Sequence, residues 1–376
     1  MSLVLNGTTG ISGTNALTGV TSVNSGQIGG RRNIVINGEM KVAQRSASVV
    51  GLGAAAGYFT LDRWRMAVGA ATAGRFTMAQ VADGPAGIAN CLKLTTTTAD
   101  TSIAAGEALI LQTRFEGQDL QQLKKGTASA EQVTVSFYVK GNAAALYVCE
   151  LFDQDNTRSI TQSFAVTTDW NRIELTFAAD TSDPLDDDTA NSFSLQIWLH
   201  AGATYTGGTF AVNTWNDSTN ANRYAVADRT SIFDATSRTF FITGVQMEIG
   251  TQATDFESRS IGEELALCQR YYYRNVAQTA YGTFAIGVVD SASSCCGVYA
   301  KHPVKMRAIP TITISGGRLW DVGASPAITG LAGTWSTTDH MCQCFDASGG
   351  GLTAGRACII QANGDAAHYL AADSEL

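Results

Sequence analysis

The sequence predicts a mainly β protein: an antiparallel, jelly-roll-like β-sandwich and a smaller C-terminal β-domain, joined by one short helix. Three observations predict this class: apolar and polar residues alternate in many segments, turns rich in Gly, Asn and Asp separate these segments, and only 15% of the 376 residues are charged. Alternation with a period of two places successive side chains on opposite faces of a strand. The pattern lacks the strand and helix alternation that indicates a parallel sheet.

Three segments in the middle of the chain show the alternation most clearly. Their apolar sides consist of Val133, Val135, Phe137 and Val139; of Ile173, Leu175 and Phe177; and of Phe193, Leu195, Ile197 and Leu199. The intervening positions are mostly polar, so we expect each strand to have one buried face and one wetter face.

One helix is predicted, from Ser260 to about Arg274. Ser260 followed by Glu263 is typical of a capping box, in which the first residue accepts a hydrogen bond from the third helical N–H. The apolar stripe predicted for this helix consists of Ile261, Leu265, Cys268 and Tyr272.

These patterns divide the chain into four parts. Residues 1–32 form an extended attachment or oligomerisation segment, because they contain too few apolar residues for a core of their own. Residues 33–257 form the sandwich, residues 258–275 the linker helix and residues 276–376 the C-terminal β-domain.

The charge balance argues against nucleic-acid and membrane partners. Lys and Arg number 25 against 33 Asp and Glu, a net charge of −8, so the chain has no excess of basic charge to neutralise a phosphate backbone. We find neither an apolar run of about 18 residues nor a secretory signal pattern. The expectation is assembly in a host cytoplasm without membrane insertion.

The sequence does not indicate an enzyme, a metal site or a cofactor. Its four histidines stand in no recognisable nucleophile motif, so we expect no catalytic residues. His340, Cys342 and Cys344 are expected to share one face of a strand rather than to bind zinc, which usually takes four ligands. All eight cysteines are expected to be reduced thiols. The acidic stretch at residues 180–188 is expected to be a solvated loop, with calcium binding as the open alternative.

Aromatic and amide residues on a predicted loop suggest a glycan-binding surface. The apolar face of a sugar stacks on aromatic rings, and neighbouring polar side chains bond its hydroxyls. The segment from Tyr205 to Tyr224 has this composition with few apolar neighbours. The candidate binding residues are Tyr205, Trp215, Asn216, Arg223 and Tyr224.

Several motifs resemble those of a family of bacteriophage tail-fibre and virion structural proteins, of the marine or cyanophage type. They are RRNIVINGEMKVAQR at residues 31–45 with YFTLDRW at 58–64, TGVQMEIG at 243–250, the Phe-Glu pair at 256–257 with GEELALCQRYY at 262–272, and the first ten residues. The closing motif of that family often has Pro before Phe-Glu, where this chain has Asp255.

The resemblance implies a non-enzymatic virion component, a tail fibre, with a sandwich like that of carbohydrate-binding modules. It implies a homotrimer that contacts other virion proteins through residues 1–32 and attaches to host surface polysaccharide. A head fibre or decoration protein on the capsid surface, or a polysaccharide depolymerase, remains the alternative.

Overall fold

The structure is a computed structural model that describes residues 31–70 and 72–376, together with the backbone of one hairpin, β1 (Ser22–Val23) and β2 (Gly26–Gln27). Apart from this hairpin, the predicted attachment segment up to residue 30 lies outside the described residues.

A β-sandwich of two antiparallel sheets makes up the larger part of the chain. Its strands are β3 (Ser48–Leu52), β4 (Gly57–Tyr58), β5 (Arg65–Val68), β6 (Arg75–Val81), β7 (Cys91–Thr98), β8 (Ala108–Glu116), β9 (Val133–Gly141), β10 (Ala145–Asp153), β11 (Arg158–Val166), β12 (Asn171–Phe177), β13 (Asn191–Ala201), β14 (Asn216–Asp217) and β15 (Thr239–Ile249). One sheet has the order β12-β9-β15-β7-β6-β3, and the other β14-β11-β10-β13-β8-β5-β4. The mainly β, antiparallel class predicted from the sequence is confirmed.

The core lies between these two sheets, and the apolar sides of the three alternating segments all face it. Every residue named for those sides is at most 9% exposed and belongs to one core cluster. The expectation of a wetter opposite face is wrong for β13, where Ser194 and Gln196 are 1% and 6% exposed. The loop after β13 carries the short helices α1 (Ala203–Thr206) and Asn220–Asn222, and its Arg223 side chain reaches Gln196 on this face.

A smaller β unit follows the sandwich. Its strands are β16 (Tyr272–Val276), β17 (Thr283–Ser291), β18 (Ser294–Lys301), β19 (Thr311–Ser315), β20 (Gly317–Trp320), β21 (Ile328–Thr334), β22 (His340–Ala347), β23 (Ala357–Ala362) and β24 (Tyr369–Asp373). They form a three-stranded sheet, β16-β24-β19, and a six-stranded sheet, β20-β23-β17-β18-β22-β21, over a second apolar cluster.

Helix α2 (Ile261–Gln269) connects the two units and is shorter than predicted. Ser260 caps it by accepting a hydrogen bond from the Glu263 N–H, as the capping box predicts. The helix ends at Gln269 rather than near Arg274, because Tyr272 and the residues after it pair with β24 and have side chains that favour strands.

The buried face of α2 also differs from the predicted stripe. Ile261 is 59% exposed, whereas Glu264 is 3% exposed. The Glu264 carboxylate accepts the Asn37 backbone N–H at 2.6 Å and pairs with Arg259 at 3.3 Å. A buried carboxylate with two partners therefore replaces one of the apolar contacts that the periodicity predicts.

The motif residues at the start of the sandwich have structural roles. Asn37 has a φ of 58°, and a Cβ at Gly38 would lie 2.1 Å from the Val245 carbonyl oxygen, so this turn requires Gly. The Trp64 indole is buried and donates to the Asn37 carbonyl at 3.0 Å. Asp62 and Arg63 do not pair with each other: Asp62 accepts hydrogen bonds from Gln44, and Arg63 pairs with Glu375.

The cysteine prediction holds only in part. Cys296 and Cys344 form a disulfide between neighbouring strands, contrary to the expectation that all thiols are reduced. They meet because β18 pairs with β22, a long-range register that the spacing of 48 residues does not show. The prediction that His340, Cys342 and Cys344 share one strand face is confirmed by the burial of Met341, Gln343 and Phe345 on the other.

Candidate functional site

The face of the seven-stranded sheet that points away from the core carries a band of buried polar groups. Gln112, Ser194 and Gln196 lie side by side on β8 and β13 and are at most 6% exposed. The Gln196 amide donates to Ser194 Oγ at 2.8 Å. On the neighbouring strand β10, Glu150 is paired in register with Gln196. We call this surface the outer face.

Arg223 joins the loop to the outer face through a charged contact. Its Nε and Nη2 groups both donate to the Glu150 carboxylate, at 2.9 and 2.8 Å, and Nη2 also donates to Gln196 Oε1 at 3.1 Å. Its guanidinium lies 4.6 Å from the Phe152 ring centroid and 4.8 Å from that of Trp198. Two-point contacts of this kind fix orientation as well as supply energy. Arg223 therefore anchors the loop, and most of its bonding capacity is used within the chain.

The two predicted tyrosines pack on Trp198 beneath the loop. Tyr224 is stacked on the indole with ring centroids 6.0 Å apart, and Tyr205 lies 5.3 Å from it. Tyr224 is 1% exposed, and its hydroxyl donates to the Thr230 carbonyl at 2.7 Å. Burial raises the pKa of Tyr224. Tyr224 has no ring face open to a sugar, whereas Tyr205 is half-buried.

Trp215 and Asn216 lie apart from that stack. Trp215 is half-buried against Phe193, at 6.3 Å between ring centroids, and its indole N–H donates to the Ala178 carbonyl at 2.8 Å. Asn216 is exposed, and its amide donates to the Thr214 carbonyl at 2.7 Å. The structure thus spreads the five predicted residues over the loop instead of gathering them in one pocket.

A cavity of about 380 Å³ opens beside the Tyr224 end of this loop. Its lining residues are Ile103, Ala201, Tyr224, Asp228, Arg229, Thr230 and Ser231. Asp228 and Arg229 are exposed, and one Arg229 N–H donates to the Val226 carbonyl at 3.2 Å, so other guanidinium donors stay available. The cavity therefore presents a carboxylate, a guanidinium and a hydroxyl together.

Ser231, on the cavity wall, is held by a buried His200. Ser231 Oγ lies 2.8 Å from His200 Nδ1, and His200 Nε2 lies 3.2 Å from Glu107 Oε2. Desolvation lowers the pKa of His200, with Glu107 acting in the opposite direction, so the imidazole is neutral at pH 7. A neutral ring has one donor and one acceptor nitrogen, and donation from Nε2 to Glu107 leaves Nδ1 to accept from Ser231.

Sequence reasoning missed this cluster because its members are far apart along the chain. His200 lies on β13, 31 residues before Ser231 in a loop and 93 residues after Glu107, which immediately precedes β8. The bulge in β13 between Trp198 and His200 turns His200 to the same side of the sheet as its partner Leu109, which faces the core, so alternation along the strand gave no signal for this cluster.

The acidic stretch at residues 180–188 is not uniformly solvated. Asp180 is 6% exposed and accepts hydrogen bonds from Arg158 at 2.9 and 3.2 Å. Lys125 lies 3.1 Å from the same carboxylate. Within residues 31–70 and 72–376, no group of three His, Cys, Asp or Glu residues has an arrangement that could hold a metal ion.

The fold and this surface define a two-unit antiparallel β protein whose larger unit is a β-sandwich. No helix in the described part of the chain has the length and apolar character needed to cross a membrane. No protein-family model and no curated protein sequence matches the chain.

Among solved structures, the chain is similar to several carbohydrate-binding modules. A family 11 module of the cellulosomal cellulase Lic26A-Cel5E of Clostridium thermocellum aligns over 56% of this chain and 98% of its own, with a TM-score of 0.27 and 14% identity. A CBM4 structure aligns over 57% of this chain and 97% of its own, with a TM-score of 0.28 and 12% identity. A family 30 module aligns over 60% of this chain and 97% of its own, with a TM-score of 0.27 and 13% identity. Scores this low carry no inference about what this chain binds.

Proposed function

We propose that the chain is a carbohydrate-binding attachment subunit of a bacteriophage fibre, and that the cavity beside Ser231 holds the sugar. The observation that carries the binding role is the cavity itself. Its volume of about 380 Å³ lies within the range of roughly 300–1,000 Å³ that small-ligand sites occupy.

The chemistry of the cavity suits a polyhydroxylated ligand. Sugar hydroxyls both donate and accept hydrogen bonds, so they need donors and acceptors close together. Asp228 supplies acceptor oxygens, Arg229 supplies N–H donors, and the Ser231 hydroxyl is fixed by His200. Ile103, which is 41% exposed, supplies apolar surface at the same cavity for the hydrogen-bearing face of a ring.

The test is binding of the full chain to an array of bacterial surface polysaccharide fragments. Arg229→Ala is expected to weaken binding about tenfold or more, because a hydrogen bond to a charged group contributes roughly 1.5–3 kcal/mol. Arg356→Ala, which removes an exposed arginine from the smaller unit, is the matched control and is expected to bind as the wild type does. Equal binding by both variants would remove the cavity from consideration.

The finer part of the proposal is a homotrimeric tail fibre in the virion, as the motif resemblance implies. It rests on the residues 31–64 and 243–272 that carry the resemblance, and the proposed attachment to other virion proteins falls on residues 1–32, most of which lie outside the described residues. Mass photometry is expected to give three times the 39.6 kDa chain mass. Immunolabelling of purified particles tests the tail position against the capsid surface.

One observation favours a second candidate, hydrolysis of an ester group on the bound glycan. Ser231, His200 and Glu107 contact one another in the order of a nucleophile, a general base and the acid that orients the base. In that reaction Ser231 Oγ would bond to the acyl carbon, and His200 would take its proton and pass it to the departing alcohol. Water would then release the acid from Ser231. This candidate runs against the expectation that the chain is not an enzyme.

Covalent labelling separates the two candidates. A fluorophosphonate probe adds a fixed mass to an activated serine, and p-nitrophenyl acetate reports ester turnover. If Ser231 is a nucleophile, Ser231→Ala abolishes both signals while Ser237→Ala, an exposed serine in the same region, keeps them. An unlabelled wild-type chain with no turnover excludes hydrolysis and leaves Ser231 as a binding group.

A further inference from the structure

The six-stranded sheet of the smaller unit has an exposed apolar row across one face. The strand register places Trp320 beside Ile359, Ile359 beside Ile286, Ile286 beside Tyr299, and Tyr299 beside Cys342. Directly paired residues in antiparallel strands point to the same side of a sheet. Ile286 is 64% exposed, Tyr299 52% and Trp320 37%.

The other face of the same sheet is the interior of the unit. Leu319, Ile360, Val298 and Phe345 alternate with the row in sequence and are completely buried in the second core cluster. Val288, the next outward residue of β17, adds to the exposed row at 53% exposure. Single exposed apolar residues are common on proteins, but a contiguous row across five strands marks a contact surface.

Charged residues flank this row on its two sides, toward opposite ends of the strands. Lys301 lies on β18 two residues beyond Tyr299, so it shares the exposed face at one end. Asp290 on β17 and Asp346 on β22 lie at the other end, and β18 runs between these two strands. Arg356, near the carboxylate end, already faces Asp321 at 3.9 Å.

We propose that this face binds a second copy of the chain through a two-fold contact. A half-turn about an axis that lies in the plane of the face and is perpendicular to the strands relates the two copies. This rotation places β18 of one copy antiparallel over β18 of the other. Lys301 then falls between the partner's Asp290 and the partner's Asp346, and the reverse contact occurs by symmetry. The apolar row faces its own counterpart at the same time. The face is thus complementary to itself in both charge and apolar character, which favours a second copy over any other occupant.

The size of the row sets the strength of the contact. Five strands about 4.8 Å apart and about five residues long cover roughly 20 Å by 17 Å. The area of this surface is smaller than the approximately 800 Å² per partner that standard stable interfaces bury. We therefore expect a weak association that depends on concentration and joins chains of two different trimers, so its loss leaves the proposed three-fold assembly intact.

Sedimentation-equilibrium measurements on the full chain across a range of concentrations test the proposal without any sugar present. Ile286→Lys is expected to weaken self-association at least tenfold, because it would bury an unpaired charge in the contact. Val50→Lys, at a residue that is 74% exposed on the sandwich, is the matched control and is expected to match the wild type.

A charge exchange identifies the occupant as a second copy. Lys301→Glu alone is expected to weaken association, and combining it with Asp290→Lys and Asp346→Lys is expected to restore it, since each new Glu meets the new Lys residues of the partner. The proposal is overturned if Ile286→Lys self-associates as strongly as Val50→Lys. It is also overturned if the triple variant associates no more strongly than Lys301→Glu alone. Loss of glycan binding in Ile286→Lys with unchanged association also overturns it and assigns the row to a sugar.

Discussion

Arg63 and Glu375, 312 residues apart in the chain, form a buried ion pair between the sandwich and the last residues of the smaller unit. Their side chains are 1% and 4% exposed. The Arg63 guanidinium also lies 3.5 Å from the centroid of the Tyr271 ring, and Arg45 contacts Glu375 at 3.3 Å. The Glu375 carboxylate thus forms ion pairs with two arginines at the junction of the two units.

The first prediction concerns this junction. Glu375→Gln leaves the Arg63 charge buried without its counter-ion, and breaking such pairs typically costs about 3–5 kcal/mol. We expect a matching loss in the free energy of unfolding, measured in urea. The control is Glu131→Gln, which breaks an exposed pair with Lys124 and is expected to cost about 1 kcal/mol or less. Equal losses in both variants would contradict the structural importance of the junction.

The sequence was sufficient to predict the strands but not the junction. The alternation in β9, β12 and β13 is a local signal, because side-chain direction depends only on position within the strand. The Arg63 and Glu375 contact depends on how two separate units meet, and no local pattern records that. The same limit explains the disulfide between Cys296 and Cys344, which are 48 residues apart.

Of the five binding residues predicted from the sequence, only Tyr224 lines the cavity. The loop with Tyr205 and Trp215 does lie over the sheet, yet composition alone did not show that Tyr224 is buried. Aromatic residues on a loop pack inward when another aromatic residue, here Trp198, is available beneath them. The cavity residues Asp228 and Ser231 follow the predicted segment and carry no sequence motif.

The second prediction follows from the burial of Asp62. Burial raises the pKa of Asp62 from 3.8 to about 6, against the lowering effects of Gln44 and Arg45. A carboxyl that holds its proton more tightly in the folded state favours folding at low pH, and this contribution is lost as the pH rises from about 4 to 6.

Asp62→Asn removes that contribution. The free energy of unfolding, measured in urea from pH 4 to pH 7, is expected to fall more steeply with rising pH in the wild type than in Asp62→Asn. The difference between the two profiles isolates Asp62, because the other buried carboxyls, such as Glu116 with its lowered pKa, are present in both variants and cancel. Parallel profiles would show that Asp62 stays ionised throughout.

The third prediction concerns the disulfide. Closing a loop of 48 residues restricts the unfolded chain, and such bonds typically contribute about 2–4 kcal/mol. Reduction, or Cys344→Ser, is therefore expected to lower the Tm of the smaller unit. Cys342→Ser, two residues away on the same strand face, is the control and is expected to leave the non-reducing mass pattern unchanged. If reduction leaves the Tm unchanged, the bond does not stabilise the smaller unit.

The fourth prediction separates the two ends of the candidate loop. Trp215 packs on Phe193, and the Lys125 ammonium lies 5.6 Å from its ring centroid, so Trp215→Ala removes packing from the sandwich edge. Loss of a half-buried aromatic side chain is expected to destabilise the protein by about 2 kcal/mol or more, with a lower Tm. Glycan binding per folded molecule is expected to be retained, because Trp215 does not line the cavity near Arg229.

Arg229→Ala is expected to show the opposite behaviour. Arg229 is exposed and donates one hydrogen bond, to Val226, so its removal is expected to change the Tm little while weakening binding about tenfold. Thermal unfolding and glycan-array binding of both variants, each normalised to the folded fraction, make the comparison direct. If Trp215→Ala instead loses binding at an unchanged Tm while Arg229→Ala binds normally, the sugar lies on the Trp215 ring, and the cavity beside Ser231 is not the site.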